Sequence, residues 1–274
     1  MAIYNASFLT FTAIICLSLV CIECDAQTQT INTSDGIGAD AFIRGGNFSN
    51  QNSGSSNSTS VKHDPNSSSF HRKAYYRFDT SSVESNSIQN AMLTLTVAFT
   101  DGSDHPSFQY RLYGLVDGHV GENWDEFAIT WNNAPANINE PTNMGNDAIL
   151  LTSFSTGKLV TPGDQVNVGG EALTEFLNND TNEAVTLMIT RETQSFFIHS
   201  FATKENLNFD CPTLQISTTI LGDVNCDGAV NLLDVAPFVD TLSSGGFSNK
   251  ADINQDGSVD LLDVTPFVVL LSGG

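Results

Sequence analysis

The residues of this chain best suited to chemistry are two runs of oxygen-bearing side chains near its C-terminus. The first reads D-V-N-C-D-G-A-V-N-L-L-D over 223–234, and the second D-I-N-Q-D-G-S-V-D-L-L-D over 252–263. The copies are offset by 29 residues, from Asp223 to Asp252. Each places oxygen side chains at loop positions 1, 3 and 5, a glycine at 6 and an acid at 12. A hard cation such as calcium takes six to eight oxygens at roughly 2.3–2.6 Å, and a ladder of this spacing supplies them from a single loop. The expected ligands of the first loop are Asp223, Asn225, Asp227, the carbonyl of Ala229, Asn231 through a water, and Asp234. Those of the second are Asp252, Asn254, Asp256, the carbonyl of Ser258, Asp260 through a water, and Asp263. Gly228 and Gly257 stand where such a loop turns sharply.

A second chemical feature lies upstream. The chain has only ten Lys and Arg, yet five of them fall within 44–77: Arg44, Lys62, Arg72, Lys73 and Arg77. A guanidinium fork holds a carboxylate through two hydrogen bonds, and an ammonium offers a point charge, so the cluster suits a carboxylate-bearing ligand. Ordinary pairing with the many local acids is the plainer alternative. If 72–79 is a strand, alternation sets Arg72, Ala74, Tyr76 and Phe78 against Lys73, Tyr75, Arg77 and Asp79. The five basic residues then cannot all line one groove, and Arg44, Lys62 and Arg72 are the favoured set.

The calcium-type loops depart from the common EF-hand in carrying Asp at position 12 and in having no helix before the first loop. With their tandem spacing they resemble type I dockerins, the calcium-binding docking modules of polysaccharide-degrading systems, over roughly the last 52 residues. The resemblance implies a small α-helical module over 221–274 with two calcium sites and a cohesin-like partner. It also implies that positions 10 and 11 face that partner. Here these are Leu232, Leu233, Leu261 and Leu262, where cellulosomal dockerins more often have small or hydroxyl residues. Packing of some of these leucines inside the module or against the preceding domain remains the alternative. Near-identity of the copies preserves a two-fold surface, which would allow docking in two orientations. Pro237 and Pro266 fall early in each expected exit helix, where a missing N–H costs little.

The elements that position the basic cluster are expected to be strands. Between Asp35 and Ile220 short alternating runs are separated by Asn, Ser, Gly and Asp clusters, which predicts a sandwich or barrel. Strands are expected at 39–44, 73–78, 91–99, 108–115, 185–190, 195–201 and 213–218. One helix is expected at 171–178, with Ala172, Leu173, Phe176 and Leu177 on one face. Residues 45–60 read as a long polar loop, and 27–34 as a linker.

Several segments occur in a recognisable order: A-D-A-F-I-R-G-G-N-F (39–48), R-K-A-Y-Y-R-F-D (72–79), L-T-L-T-V (93–97), Y-G-L-V-D (113–117), E-N-W (122–124) and I-T-W-N-N-A-P (129–135). This order resembles the DNRLRE-type β-sandwich grouped with family 96 carbohydrate-binding modules, over roughly 35–220. The resemblance implies a mainly β, jelly-roll-like fold and a polysaccharide ligand, with an acidic glycan such as alginate favoured. Arg44, Lys62, Arg72, Lys73, Tyr76 and Arg77 are then the candidate glycan ligands. Tyr75, Trp124 and Trp131 are further candidates for stacking on sugar, although Trp131 fits core or turn packing better. Asp40 and Asp79 are candidates for a structural calcium in the sandwich.

A catalytic reading finds less to stand on. Tyr110, Arg111, His105, His119 and His199 are the residue types of a polysaccharide lyase, and Glu122 and Glu126 those of a glycosidase, but no recognised lyase, nucleophile-elbow or zinc-helix motif frames them. The expectation is a non-catalytic protein. A surface adhesin with a calcium-stiffened anchor is the first alternative and a lyase or hydrolase the second.

The compartment follows from the ends and the charge. Residues 8–22 are apolar enough for a signal-peptide core and short for a membrane span, with no Lys or Arg before them and a cleavage site at Cys24-Asp25-Ala26. A signal peptide is therefore expected at 1–26, no transmembrane segment, and a secreted or surface-associated protein. Cys211 and Cys226, the two cysteines after it, are a disulfide candidate. The formal charge of −21 argues against a nucleic-acid partner.

Overall fold

The computed structural model describes residues 27–83, 88–101 and 106–272. The expected signal peptide and His105 lie outside them. The described chain forms strands β1 (Gln27–Asn32), β2 (Ala39–Arg44), β3 (Ser58–Val61), β4 (Arg72–Asp79), β5 (Ile88–Thr100), β6 (Phe108–Leu115), β7 (Ala148–Thr156) and β8 (Gln165–Gly169). Helix α1 (Glu171–Asn178) follows, then β9 (Ala184–Arg191), β10 (His199–Ala202) and β11 (Thr213–Thr218), and lastly α2 (Val235–Ser244) and α3 (Val264–Leu271). One sheet runs β1-β11-β5-β10-β3 with β8 also paired to β5, and the other runs β2-β4-β9-β6-β7. The fold is thus mainly β, two sheets followed by a small helical module.

The main core lies between the sheets and follows the alternation. Leu93, Leu95 and Val97 of β5 join Ala74, Tyr76 and Phe78 of β4 and Leu187 and Ile189 of β9. A second apolar layer covers the other face of the five-stranded sheet. There the irregular segment 116–147 lays Trp124, Ile129, Trp131 and Met144 over Ala41, Ile43, Tyr75 and Met188. Strand β4 is consequently buried on both faces, which period-2 reasoning does not anticipate for an antiparallel strand. Helix α1 inserts Leu173 and Leu177 into the main core and sets the Phe176 ring where Gly114 leaves room for it.

Three sequence expectations need correcting here. Residues 27–32 are not linker but strand: all six pair antiparallel with β11, supplying an outer neighbour to a strand that would otherwise be an edge. The stretch 45–60 is not all loop, because Ser58–Val61 forms β3, whose buried Thr59 and Ser60 hydrogen-bond Tyr76 and Ser200 instead of displaying apolar side chains. The strand expected at 195–201 begins at His199, since the Arg191 guanidinium draws the carbonyls of Ser195 and Phe197 into a turn (2.8 Å each).

Candidate functional site

The three favoured basic residues meet in one row. Arg44 of β2 is the register partner of Arg72 of β4, and Lys62, just past β3, bridges Arg72 from the other side through backbone hydrogen bonds of 2.9 and 3.0 Å. Residues directly opposite on paired strands share a face, so the three side chains emerge together at the mouth between the sheets. Arg44 spends its Nε on the Ser69 carbonyl (2.9 Å) and lays its guanidinium 3.5 Å from the Phe48 ring centroid. Phe70 lies 5.2 Å from the Arg44 guanidinium and 5.4 Å from the Lys62 ammonium. Lys62 is ion-paired with Asp64 at 2.9 Å. The Arg72 side chain makes no hydrogen bond among the described residues, and its Nε is buried without a partner. Burial, then the nearby Arg44 charge, lower its pKa to about 10.

Sequence reasoning missed a further cation here. Arg191, buried at the end of β9, adds to the positive field on Arg72 while its terminal nitrogens are held by the carbonyls of Phe197, Ser195 and His63. Phe48 and Phe70, rather than Tyr or Trp, supply the aromatic surface beside the row; the signal for Phe48 was its place in the same segment as Arg44.

The other expected glycan ligands stand outside this row and are held by other partners. Lys73 is fully buried on the opposite face of β4, donating to Asn137 Oδ1 (2.8 Å), Ile138 O (3.1 Å) and Asn143 O (2.8 Å) beneath the Trp131 ring. It ties down the covering segment. Tyr76 is buried in the main core against Thr59 at 2.5 Å. Arg77 clamps loops, donating to the carbonyls of Ile37 (2.8 Å), Glu122 (3.2 Å) and Trp124 (2.7 Å). The rings of Tyr75, Trp124 and Trp131 belong to the second apolar layer and present no sugar-stacking face. Placement of Trp131 there agrees with the core reading.

Among the described residues, those of the catalytic alternatives do not gather at one surface. Tyr110 and His199 are sealed in the core, burial raising the Tyr110 phenol above its ordinary range. Arg111 pairs with Glu192, and His119 lies 3.8 Å from Asp147 at a different surface. Glu122 accepts from Asn182 at 2.6 Å, whereas Glu126 is ion-paired with Lys204 at 2.6 Å.

The two C-terminal loops are near-copies in three dimensions. In the first, Asp223 accepts from the N–H groups of Asp227 (3.0 Å) and Gly228 (3.3 Å), and the two oxygens of Asp234 accept from Asn225 (2.9 Å) and Asn231 (2.8 Å). In the second, Asp252 accepts from Asp256 (3.1 Å) and Gly257 (3.0 Å), and Asp263 from Asn254 (3.0 Å) and Asp260 (2.9 Å). Backbone φ is left-handed at position 4 in both, Cys226 (67°) and Gln255 (58°), and at position 6, Gly228 (87°) and Gly257 (89°). All four end-position aspartates, Asp223, Asp234, Asp252 and Asp263, are buried. An all-oxygen donor set with carboxylates turned inward fits a hard divalent cation. Lys250 reaches Asp223 at 3.1 Å in the first loop alone. Beneath the loops Phe238 and Phe267 stack at 4.1 Å and pack with Ala251 and Ile253. Leu232, Leu233, Leu261 and Leu262 are not in this core: they are 81%, 67%, 78% and 66% exposed, which removes the internal-packing alternative.

Two smaller expectations fail. Cys211 is a free thiol 4.0 Å from the Ser34 hydroxyl, so it does not bridge to Cys226, which sits at the tip of the first loop. Asp79 does not approach Asp40. The two fall on opposite faces of the β2–β4 pair, and Asp79 caps the N–H groups of Ile37 and Ser81. Asp40 instead meets Glu126 and Glu205, and burial, with the Glu205 and Glu126 charges adding, raises its pKa to about 7.

Residues 32–148 match the family model of carbohydrate-binding module family 96, and residues 221–266 match that of the dockerin type I domain. The chain therefore carries a family 96 carbohydrate-binding module followed by a type I dockerin, and type I dockerins bind calcium. The strands β8 to β11, beyond the first match, complete the same two sheets. No curated protein matches the chain. Among solved structures the Agl-KA catalytic domain is similar at 9% identity over 81% of this chain and 36% of that one, with a TM-score of 0.29; a likeness of this size carries no argument. No helix among the described residues is long and apolar enough to cross a membrane.

Proposed function

We propose that this is a secreted, non-catalytic binding protein that holds an acidic polysaccharide at the Arg44–Arg72–Lys62 row and attaches it to a cohesin-like partner through the calcium-loaded module. One observation carries the glycan half: two arginines stand directly opposite each other, and one has a buried Nε with no partner. Like charges in that position are destabilising until an anion lies between them, and a uronate carboxylate has the planar geometry to accept from both forks. Phe48 and Phe70 beside the row offer apolar surface for the sugar ring.

The calcium ligands in this reading are Asp223, Asn225, Asp227, the Ala229 carbonyl and Asp234, and their counterparts Asp252, Asn254, Asp256, the Ser258 carbonyl and Asp263. Asn231 and Asp260 reach the ion through water. Bound calcium neutralises carboxylates that repel one another in its absence, so the ion is a folding ligand. The module then presents its exposed leucine pairs outward.

The test is binding of the full chain to alginate, pectin, sulfated glycans and neutral controls at low and high salt, with assay of released ends. Saturable, salt-sensitive binding to a uronate polymer without turnover is the expected result. No binding across the panel would instead leave an adhesive role, and new unsaturated or reducing ends would make the chain an enzyme.

A further inference from the structure

Three acids belonging to neither site converge four residues before Arg44 on the same strand. Asp40 comes from β2, Glu126 from the covering segment and Glu205 from the loop after β10, and one carboxylate oxygen of each lies within 4.8 Å of the other two. Asp40 is 0% exposed and Glu126 6%. Asp40 Oδ2 is occupied, accepting from the Thr33 hydroxyl (2.6 Å) and the Lys204 N–H (3.0 Å). Its other oxygen, Oδ1, is buried with no hydrogen-bond partner, and so is Oε2 of Glu205.

Glu126 is better satisfied. Its Oε1 accepts from the Asp40 N–H at 2.9 Å, and its Oε2 is paired with the Lys204 ammonium at 2.6 Å. Lys204 also donates to the Gly38 carbonyl at 3.2 Å and makes no hydrogen bond to either bare oxygen. Three carboxyl groups against one ammonium leave an excess of acid around two buried oxygens that no hydrogen bond satisfies. Buried charges and buried lone pairs persist when something satisfies them.

We propose that Asp40, Glu126 and Glu205 form a calcium site within the sandwich, with Asp40 Oδ1 and Glu205 Oε2 as the anchoring ligands. An all-carboxylate set of hard oxygen donors, with no nitrogen or sulfur among them, is the chemistry that suits calcium. An ion here fastens β2 to the covering segment and to the loop after β10, three pieces of chain with no regular hydrogen-bond ladder between them. The site shares no residue with the C-terminal loops or the basic row, so it stands apart from the binding reading.

The experiment counts calcium on the intact chain by elemental analysis after chelation, reloading and removal of free ion. Wild type is compared with Glu205→Gln and Asp40→Asn. The C-terminal loops contribute equally to all three proteins and cancel in the difference. Each variant is expected to hold one calcium fewer than wild type, and chelation, which lowers the Tm of the sandwich in wild type, is expected to leave that of Glu205→Gln unchanged. Should Asp40→Asn fail to fold, Glu205→Gln, at a half-buried loop position, carries the test alone. Equal calcium counts in wild type and Glu205→Gln would overturn the proposal.

Discussion

Arg44 and Arg72 face each other across paired strands, and Lys73, the next residue along, points the opposite way. These neighbours are expected to respond to substitution in opposite senses. Replacing Arg72 by Met removes a charge from a like-charge pair and a buried Nε without a partner, so stability is expected to hold or rise. Uronate affinity is expected to fall about 10- to 100-fold, the equivalent of the ~1.5–3 kcal/mol of a charge-assisted hydrogen bond. Lys73→Met leaves Asn137 Oδ1 and the carbonyls of Ile138 and Asn143 without their donor, at ~1–3 kcal/mol for each buried orphan. That variant is expected to lose at least about 3 kcal/mol in chemical denaturation and to bind glycan as wild type does. A reversed outcome, with Lys73→Met stable and binding-deficient, would return Lys73 to the glycan site.

At the scale of elements, the covering segment 116–147 makes the five-stranded sheet different from an ordinary half-solvated sheet. Trp131 packs in that layer and shelters the Lys73 ammonium 5.0 Å from its ring. Trp131→Ala is expected to cost about 3–5 kcal/mol, within the range for large aromatic truncations, measured as a lowered denaturation midpoint whether or not calcium is present. The same layer explains what the sequence could and could not reveal. Strands Ala39–Arg44, Phe108–Leu115 and Thr213–Thr218 were legible to the residue because apolar alternation marks them. Alternation separated Arg72 from Lys73 correctly, yet it could not say that Lys73 lay under a loop rather than at solvent. Strands β1 and β3 escaped because Q-T-Q-T-I-N and S-T-S-V are almost wholly polar, their place being fixed by β11 and β10 partners far along the chain. Glu126 and Glu205 lie distant from Asp40 in sequence, so only folding assembles the trio. The calcium-type loops were legible because every ligand lies within one short run.

For the whole molecule, the two modules have separate cores, and the C-terminal one is small: Phe238, Ala251, Ile253 and Phe267 are its buried apolar residues. So slight a core relies on its metal, and chelation is expected to remove the helical far-UV signal of α2 and α3 while the sandwich keeps its own cooperative transition. The exposed leucine pairs then decide how the loaded module docks. Leu232 and Leu233 occupy the same loop positions as Leu261 and Leu262, and the loops beneath them share their hydrogen-bond pattern. A partner site that accepts one pair would therefore accept the other after a half-turn of the module. Replacing either pair alone by serine removes one of two equivalent modes, so affinity for a type I cohesin is expected to fall only about two-fold, since RT ln 2 is ~0.4 kcal/mol. Replacing both pairs removes the apolar anchors altogether and is expected to cost far more than the sum of the single losses. Surface plasmon resonance with the three variants measures this directly. A large loss from one pair and none from the other would mean that the module docks in a single orientation, with Lys250, which touches only the first loop, as the feature that breaks the symmetry.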